Sequence, residues 1–262
     1  MDSSFNDFST KTALITGAGS GFGLAVARQL AAGGARIIGV DRNQEKLAAA
    51  FAGLPAGAHH TIAADLRPVE TVRRVVAEAY AVAGHIDILV NSAGVCHFTR
   101  MADISPDEWD EVLEVDLRTL FFLSVAVAER VDPARGLRIV NLGSNSGRKG
   151  RALSAHYAAA KAGVANLTES LALAYGSKNV TANTVCPAVV LTPLWETSFA
   201  ELEAITGKRA PELTENWRAL TPLKRLGTAE DVANLVVFLA GDRAAFITGQ
   251  EINVCGGFML TC

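Results

Sequence analysis

Two side chains able to pass a proton stand four positions apart, Tyr157 and Lys161, in the run Tyr157-Ala158-Ala159-Ala160-Lys161. On a helix that spacing puts both on one face, a turn apart. A phenol ordinarily keeps its proton up to a pH of about 10, but an ammonium beside it favours the phenolate. Such a pair can take the proton of an alcohol or return one to a carbonyl. Alone, the pattern is commonplace on exposed helices, so its weight depends on what accompanies it. Ser144 lies thirteen residues earlier. A hydrolase nucleophile is not indicated, because in Gly143-Ser144-Asn145-Ser146-Gly147 the centre of a Gly-x-Ser-x-Gly pattern falls on Asn145. The sequence has no His-Glu-x-x-His motif, His/Cys cluster or carboxylate cage, so no metal is expected.

A second chemistry-bearing stretch is Thr16-Gly17-Ala18-Gly19-Ser20-Gly21-Phe22-Gly23, between an apolar run and a helical pattern. Glycines there allow a tight turn and close approach of a pyrophosphate, while the helix that follows offers free N–H groups and a positive dipole end. Asp41 ends the next apolar run, 18 residues after Gly23. A carboxylate at that place accepts hydrogen bonds from both hydroxyls of an adenosine ribose and repels a 2′-phosphate. Arg42 pulls the other way, since it can pair with a phosphate. No basic residue sits inside the glycine-rich turn, and the balance favours NAD over NADP.

The elements that must position these groups are legible as a rhythm. Short apolar runs recur at 12–16, 36–40, 61–64, 86–90, 137–142, 180–185 and 250–254, separated by helical patterns at 21–32, 69–83, 108–130, 157–175 and 229–239. That alternation predicts βαβ units and a parallel sheet. The predicted fold is α/β: a single-domain, doubly wound Rossmann fold with a seven-stranded parallel sheet flanked by helices, spanning residues 1–262, with 1–10 a flexible N-terminus. Residues 190–222, carrying Pro193, Pro211 and Pro222, interrupt the rhythm and suggest a lid over the site, with a variable surface excursion as the alternative. The chain has 262 residues, 50% hydrophobic and 19% charged, with a net charge of −3. That balance points to neither nucleic acid nor a membrane surface as partner. The polar N-terminus does not resemble a signal peptide, no apolar stretch is long enough to span a bilayer, and four cysteines without CxxC spacing read as reduced thiols, so a cytoplasmic location is expected.

With its TGxxxGxG turn and YxxxK, the chain resembles the short-chain dehydrogenase/reductase family from about Lys11 to Phe258. Asp65-Leu66 is similar to the family's adenine-contacting pair. Asn91-Ser92-Ala93-Gly94 is similar to its NNAG motif, and Pro187-Ala188-Val189-Val190-Leu191-Thr192 to PGxxxT, which holds the nicotinamide carboxamide. Ser144 occupies the place of the family's catalytic serine, and Thr248-Gly249-Gln250 and Gly256-Gly257 match its last strand. The resemblance implies catalysis by Ser144, Tyr157 and Lys161, with Asp116 where the family usually has Asn to serve a proton-relay water. It implies NAD held by Gly17, Ser20, Gly21, Phe22, Gly23, Asp41, Arg42, Asp65, Leu66, Asn91, Ala93, Gly94, Tyr157, Lys161, Pro187, Val190 and Thr192. Ala188 and Cys255 also depart from the pattern, replacing a Gly and an Asp.

The implied reaction is hydride transfer between an alcohol carbon and a nicotinamide, coupled to proton transfer at Tyr157, with Ser144 binding the substrate oxygen. Candidate substrate contacts are His97, Ser146, Arg148, Lys149, Arg151, His156, Val189 and Trp195. The segment before Tyr157 is basic and contains no acid; it is either a solvated loop or subunit contact, or a source of cations for the site. One inward cation would favour a polyhydroxylated or anionic substrate. A thin similarity to sorbitol-type dehydrogenases suggests a secondary alcohol of a polyol, sugar or sugar acid, in carbohydrate metabolism. The alternatives are an NAD(P)H-dependent reductase of a β-keto or cyclic ketone, and a protein that senses NAD without catalysis. The family's habit implies a homotetramer, or a dimer, and a small-molecule alcohol or carbonyl as the other partner.

Overall fold

The computed structural model describes residues 7–260. Seven strands, β1 (Thr12–Thr16), β2 (Arg36–Asp41), β3 (His60–Ala63), β4 (Ile88–Asn91), β5 (Leu137–Leu142), β6 (Val180–Pro187) and β7 (Glu251–Val254), form one parallel sheet in the order β3-β2-β1-β4-β5-β6-β7. Among the described residues the α-helices are α1 (Gly21–Ala32), α2 (Gln44–Ala52), α3 (Val69–Ala83), α4 (Pro106–Leu113), α5 (Thr119–Ala128), α6 (Ala155–Tyr175), α7 (Trp195–Thr206), α8 (Ala210–Leu220) and α9 (Ala229–Ala240). Every residue of β1, β4, β5 and β6 is buried. Helices cover both faces, so these strands need no polar alternation. On one side Ile15, Ile37, Val90 and Val140 pack with Leu30 of α1 and Val236 of α9. On the other, Leu14, Ile38, Leu89 and Ile139 pack with Val76, Leu123 and Leu171 of α3, α5 and α6.

From β1 the chain winds outward through β2 and β3, then returns to lay β4 against the opposite edge of β1. The carboxyl ends of β1 and β4 therefore open a crevice where the winding reverses, the usual place for a ligand in such a sheet. The glycine-rich turn and Asn91–Gly94 meet there: the Thr16 hydroxyl accepts from the N–H groups of Ser92 and Ala93, each at 3.1 Å.

Three sequence expectations change. The long helix over 108–130 is broken, because a five-residue π turn, Glu114–Arg118, separates α4 from α5. Helix α2 was not anticipated, although Asn43 caps it by accepting from Lys46 N–H at 2.8 Å and Gly53 follows its end. Of the expected flexible stretch 1–10, residues 1–6 lie outside the described residues, and the rest is docked: Phe8 is buried in the core and its N–H donates to Gly33 O at 2.7 Å. The insertion at 190–222 is helical, with α7 and α8 joined through Gly207.

Candidate active site

The crevice holds a cleft of about 440 Å³ lined by Gly17, Ser20, Gly21, Phe22, Asp41, Arg42, Asp65, Leu66, Ala93, Gly94 and Thr192, all expected from sequence. Its floor is backbone. A Cβ on Gly23 would lie 2.3 Å from the Gly17 carbonyl oxygen, so glycine alone lets α1 start this close to the turn. Ser20 leaves the first turn of α1 without a side-chain cap, and no acid stands in that turn. The uncapped N–H groups are therefore free for a phosphate. Asp41 is fixed at the far end, accepting from Gly19 N–H at 3.1 Å and from Asn43 N–H at 2.9 Å. Asn43, Lys46 and Arg67 also line the cleft, which sequence reasoning did not foresee. Lys46 belongs to the unanticipated α2, and Arg67 is held by Asp65 through Nε at 2.9 Å. The residues fit a dinucleotide.

Other expected cofactor residues take different places. Asn91 is buried beneath the cleft, its Nδ2 donating to Ser124 Oγ (3.0 Å) and Asn141 Oδ1 (2.8 Å), where it ties β4 to α5 and β5. Gly23 makes room rather than contact. Pro187 and Val190 line an adjoining cavity of about 190 Å³, together with Ser144, Tyr157, Ser146, Arg151, Val189 and Trp195.

Ser144 follows β5, and Tyr157 sits in the first turn of α6 with Lys161 one turn on. Lys161 is buried. Its Nζ donates to Leu142 O at 3.0 Å and lies 3.1 Å from Asp116 Oδ2. The π turn carries Asp116, whose Oδ1 accepts from Val95 N–H at 2.8 Å. That turn reaches α6 because Gly163 leaves space for Leu117: a Cβ there would meet the leucine side chain at 2.8 Å. Burial pushes the Asp116 carboxyl above its ordinary value, with Lys161 and the Val95 N–H pulling it back.

In the sequence expectation the Tyr157 phenolate is favoured by the positive nicotinamide of the oxidised cofactor together with Lys161. The lysine Nζ is 5.6 Å from the Tyr157 ring centre, and Asp116 answers its charge. Burial, with Cys96 and Asp116 nearby, pushes the Tyr157 phenol well above 10, and only the Ser144 hydroxyl pulls it down. A further positive charge beside it would favour the phenolate. The Cys96 thiol in the same cavity is pushed up to about 12, chiefly by burial, and is no nucleophile at neutral pH.

Of the proposed substrate contacts, His97, Arg148, Lys149 and His156 do not line the cavity. His156 is fully buried with Nε2 3.1 Å from Glu108 Oε1, and its ring stacks on His97. Burial pushes it below the usual imidazole value. His97 ties down the lid: Nδ1 is 3.2 Å from Glu201 Oε1 on α7, and Nε2 is 3.3 Å from Glu111 Oε2 on α4. Glu201 also accepts from Phe98 N–H at 2.9 Å. Behind the cavity wall Trp195 packs against Phe98, Phe199 and Trp217, at centroid separations of 5.9, 5.4 and 4.9 Å. Phe98, Trp217 and Phe258 also line it, and no local motif marks them in the sequence.

Comparison with known proteins identifies relatives over nearly the whole chain. The enoyl-(acyl carrier protein) reductase family matches over residues 17–259. The chain is 36% identical to D-threitol dehydrogenase of Mycolicibacterium smegmatis, over 95% of this chain and 93% of that protein. It is 34% identical to the 3-oxoacyl-(acyl-carrier-protein) reductase FabG of Escherichia coli, over 97% and 99%. A Brucella melitensis structure described as a short-chain dehydrogenase/reductase, glucose/ribitol dehydrogenase, superposes with a TM-score of 0.87 at 30% identity, covering 97% of this chain and 99% of that one.

Proposed function

The chain belongs to the short-chain dehydrogenase/reductase family and is an oxidoreductase of CH–OH groups; on that premise we propose that it oxidises a secondary hydroxyl of a small polyol, sugar or sugar acid with NAD. One observation carries the reading: Tyr157 and Ser144 open onto a cavity of about 190 Å³ whose wall mixes aromatic faces with Ser146, Ser154, Ser198 and Arg151. A small polyhydroxylated molecule can lay C–H groups on the aromatic side and find donors and acceptors on the other. Kinship with a threitol dehydrogenase supports the same class.

Bound NAD would supply the hydride acceptor. Gly17, Ser20, Gly21 and Phe22 would hold its phosphates, Asp41 the adenosine ribose, Asp65 and Leu66 the adenine, and Thr192 the nicotinamide end. Within the chain, Ser144 orients the substrate oxygen, Tyr157 receives its proton, and Lys161 stands behind the tyrosine, paired with Asp116. Asp41 disfavours the extra phosphate of NADP, although Arg42 and Lys46 border the same end of the cleft. The expected assembly is a homotetramer; Phe121 and Leu173, large apolar side chains left exposed on α5 and α6, suit such a contact. We place the protein in the cytoplasm, consistent with free thiols at Cys96, Cys186 and Cys255. No helix among the described residues is long and apolar enough to cross a membrane.

The test is a panel of polyols, sugars and sugar acids offered with NAD and with NADP. Production of NADH from at least one of them, with NADP far poorer, is the expected outcome. Turnover confined to hydrophobic alcohols would defeat the reading. A second reading, reduction of a β-keto or cyclic ketone, uses Ser144, Tyr157 and Lys161 in the reverse direction, and relatedness to a 3-oxoacyl reductase favours it. The same panel run with ketones and NADH separates the two.

A further inference from the structure

Among the side chains lining the cavity beside Tyr157, one carries a permanent charge, and no carboxylate among the described residues answers it. Three cations precede Tyr157 and meet different fates. Arg148 belongs to Glu251, its Nε 3.1 Å from the carboxylate and its Nη2 donating to the backbone carbonyl at 2.6 Å. Lys149 is exposed and outside the cavity. Arg151 is partly buried and lines it. Its Nε donates to Ser146 Oγ at 3.3 Å, which fixes the plane of the guanidinium, and it makes no ion pair among the described residues. No Asp or Glu lines the cavity.

The terminal N–H groups of Arg151 make no ion pair among the described residues, and the side chain is only partly buried, so they are available to an anion in the cavity. The planar guanidinium fork matches a carboxylate, and the aromatic side chains of Phe98, Trp195 and Trp217 line the same cavity. Ser144 and Tyr157 line the same small cavity, so one short molecule can reach both ends.

We infer that Arg151 binds a carboxylate of the substrate, so that the preferred substrate is a short hydroxy acid and not the corresponding neutral polyol. This rests on the proposed oxidation of a secondary alcohol and narrows it. In the reaction the carbinol C–H and O–H bonds break and the C=O bond forms. The hydride reduces NAD to NADH, the proton passes to Tyr157, and the carboxylate on Arg151 is unchanged.

Matched pairs test this: threonate against threitol, and 3-hydroxybutyrate against 1,3-butanediol, each with NAD, in the wild type and in Arg151→Gln and Arg151→Lys. In the wild type the acid of at least one pair should exceed its neutral partner in kcat/KM by about 30-fold or more, as expected for a close charge pair. In Arg151→Gln that ratio should fall to near one, mainly through KM, and Arg151→Lys should restore part of it. NADH titration checks that each variant is folded. Neutral polyols turned over as well as acids, or an acid preference that survives in Arg151→Gln, would overturn the inference while leaving alcohol oxidation standing. Glycerol 3-phosphate preferred over every acid would overturn the carboxylate in favour of a phosphate. If no alcohol reduces NAD, the function reading fails; the pair acetoacetate and 4-hydroxy-2-butanone with NADH then decides Arg151 separately, and no turnover of either defeats both.

Discussion

The cofactor cleft at Gly17–Gly23 is built from main chain, whereas the cavity beside Tyr157 is built from side chains on several separate segments. In the cleft, the uncapped start of α1, the N–H groups of Ser92 and Ala93 on Thr16, and an Asp41 pinned by Gly19 and Asn43 all follow from how the strands end. In the cavity, position depends on packing at a distance: Trp195 leans on Trp217, and Glu201 of α7 grips His97 and Phe98 on the loop after β4. A backbone floor changes little when side chains change, so the place of the dinucleotide phosphates stays fixed. A side-chain site alters with each substitution, so the substrate can vary while the fold does not.

The sharpest break between the regions should come from Tyr157→Phe. It removes the proton-transfer group and leaves the cleft alone, so kcat should fall by about 10³-fold or more while NADH binding stays near wild type. A loss of NADH affinity of the same size would show that the two regions are not separable. Asp41→Ala should act on the other side only, shifting the NAD-to-NADP preference by about 100-fold with substrate KM little changed; an unaltered cofactor ratio would remove Asp41 from that role. Asp116→Asn probes the seam. It keeps an acceptor for Val95 N–H but withdraws a negative charge that adds to burial and Cys96 in holding the phenol up. The alkaline rise of the oxidation rate should then begin about one pH unit lower, and an unmoved profile would confine Asp116 to positioning.

The smallest effect concerns the lid. His97 is titrated by opposing forces: burial lowers its pKa, but Glu201 first, then Glu111 and Glu108, raise it above 6.5 on balance. Its partners on every side are acids, apart from the stacked and buried His156. A folded-state pKa above the unfolded one means that the stabilisation is complete below the unfolded value and fades as pH rises through the folded one. Partial exposure keeps it under about 1 kcal/mol. Wild-type Tm should therefore decline more between pH 6.5 and alkaline pH than Tm of His97→Gln, and parallel curves would show that the grip carries no linked proton.

How much of this could be read from sequence follows the same division. The turn at Gly17–Gly23, the Tyr157–Lys161 spacing and the strand rhythm are local patterns; Ser144 follows β5, Tyr157 and Lys161 stand on α6, and Ser144 and Tyr157 line one cavity. Arg148 and Arg151 are three residues apart and chemically alike, yet one faces Glu251 and the other the cavity. Only tertiary packing decides that. The π turn was hidden because its residues, Glu114–Arg118, continue a good helical pattern, and the reason to interrupt it is Lys161 on another helix. Lid contacts such as Glu201 with His97 join positions 104 apart in sequence, beyond any periodicity.

The bare start of α1 has a thermodynamic consequence. A side-chain cap there would typically stabilise the helix by about 1 kcal/mol, so the chain is intrinsically less stable than its secondary structure allows. A dinucleotide bound at that helix end binds only the folded form. At a concentration one hundred times its Kd it adds about 2.7 kcal/mol to the unfolding free energy. The lifetime of the folded chain would then follow the supply of nucleotide, through the helix end that binds it.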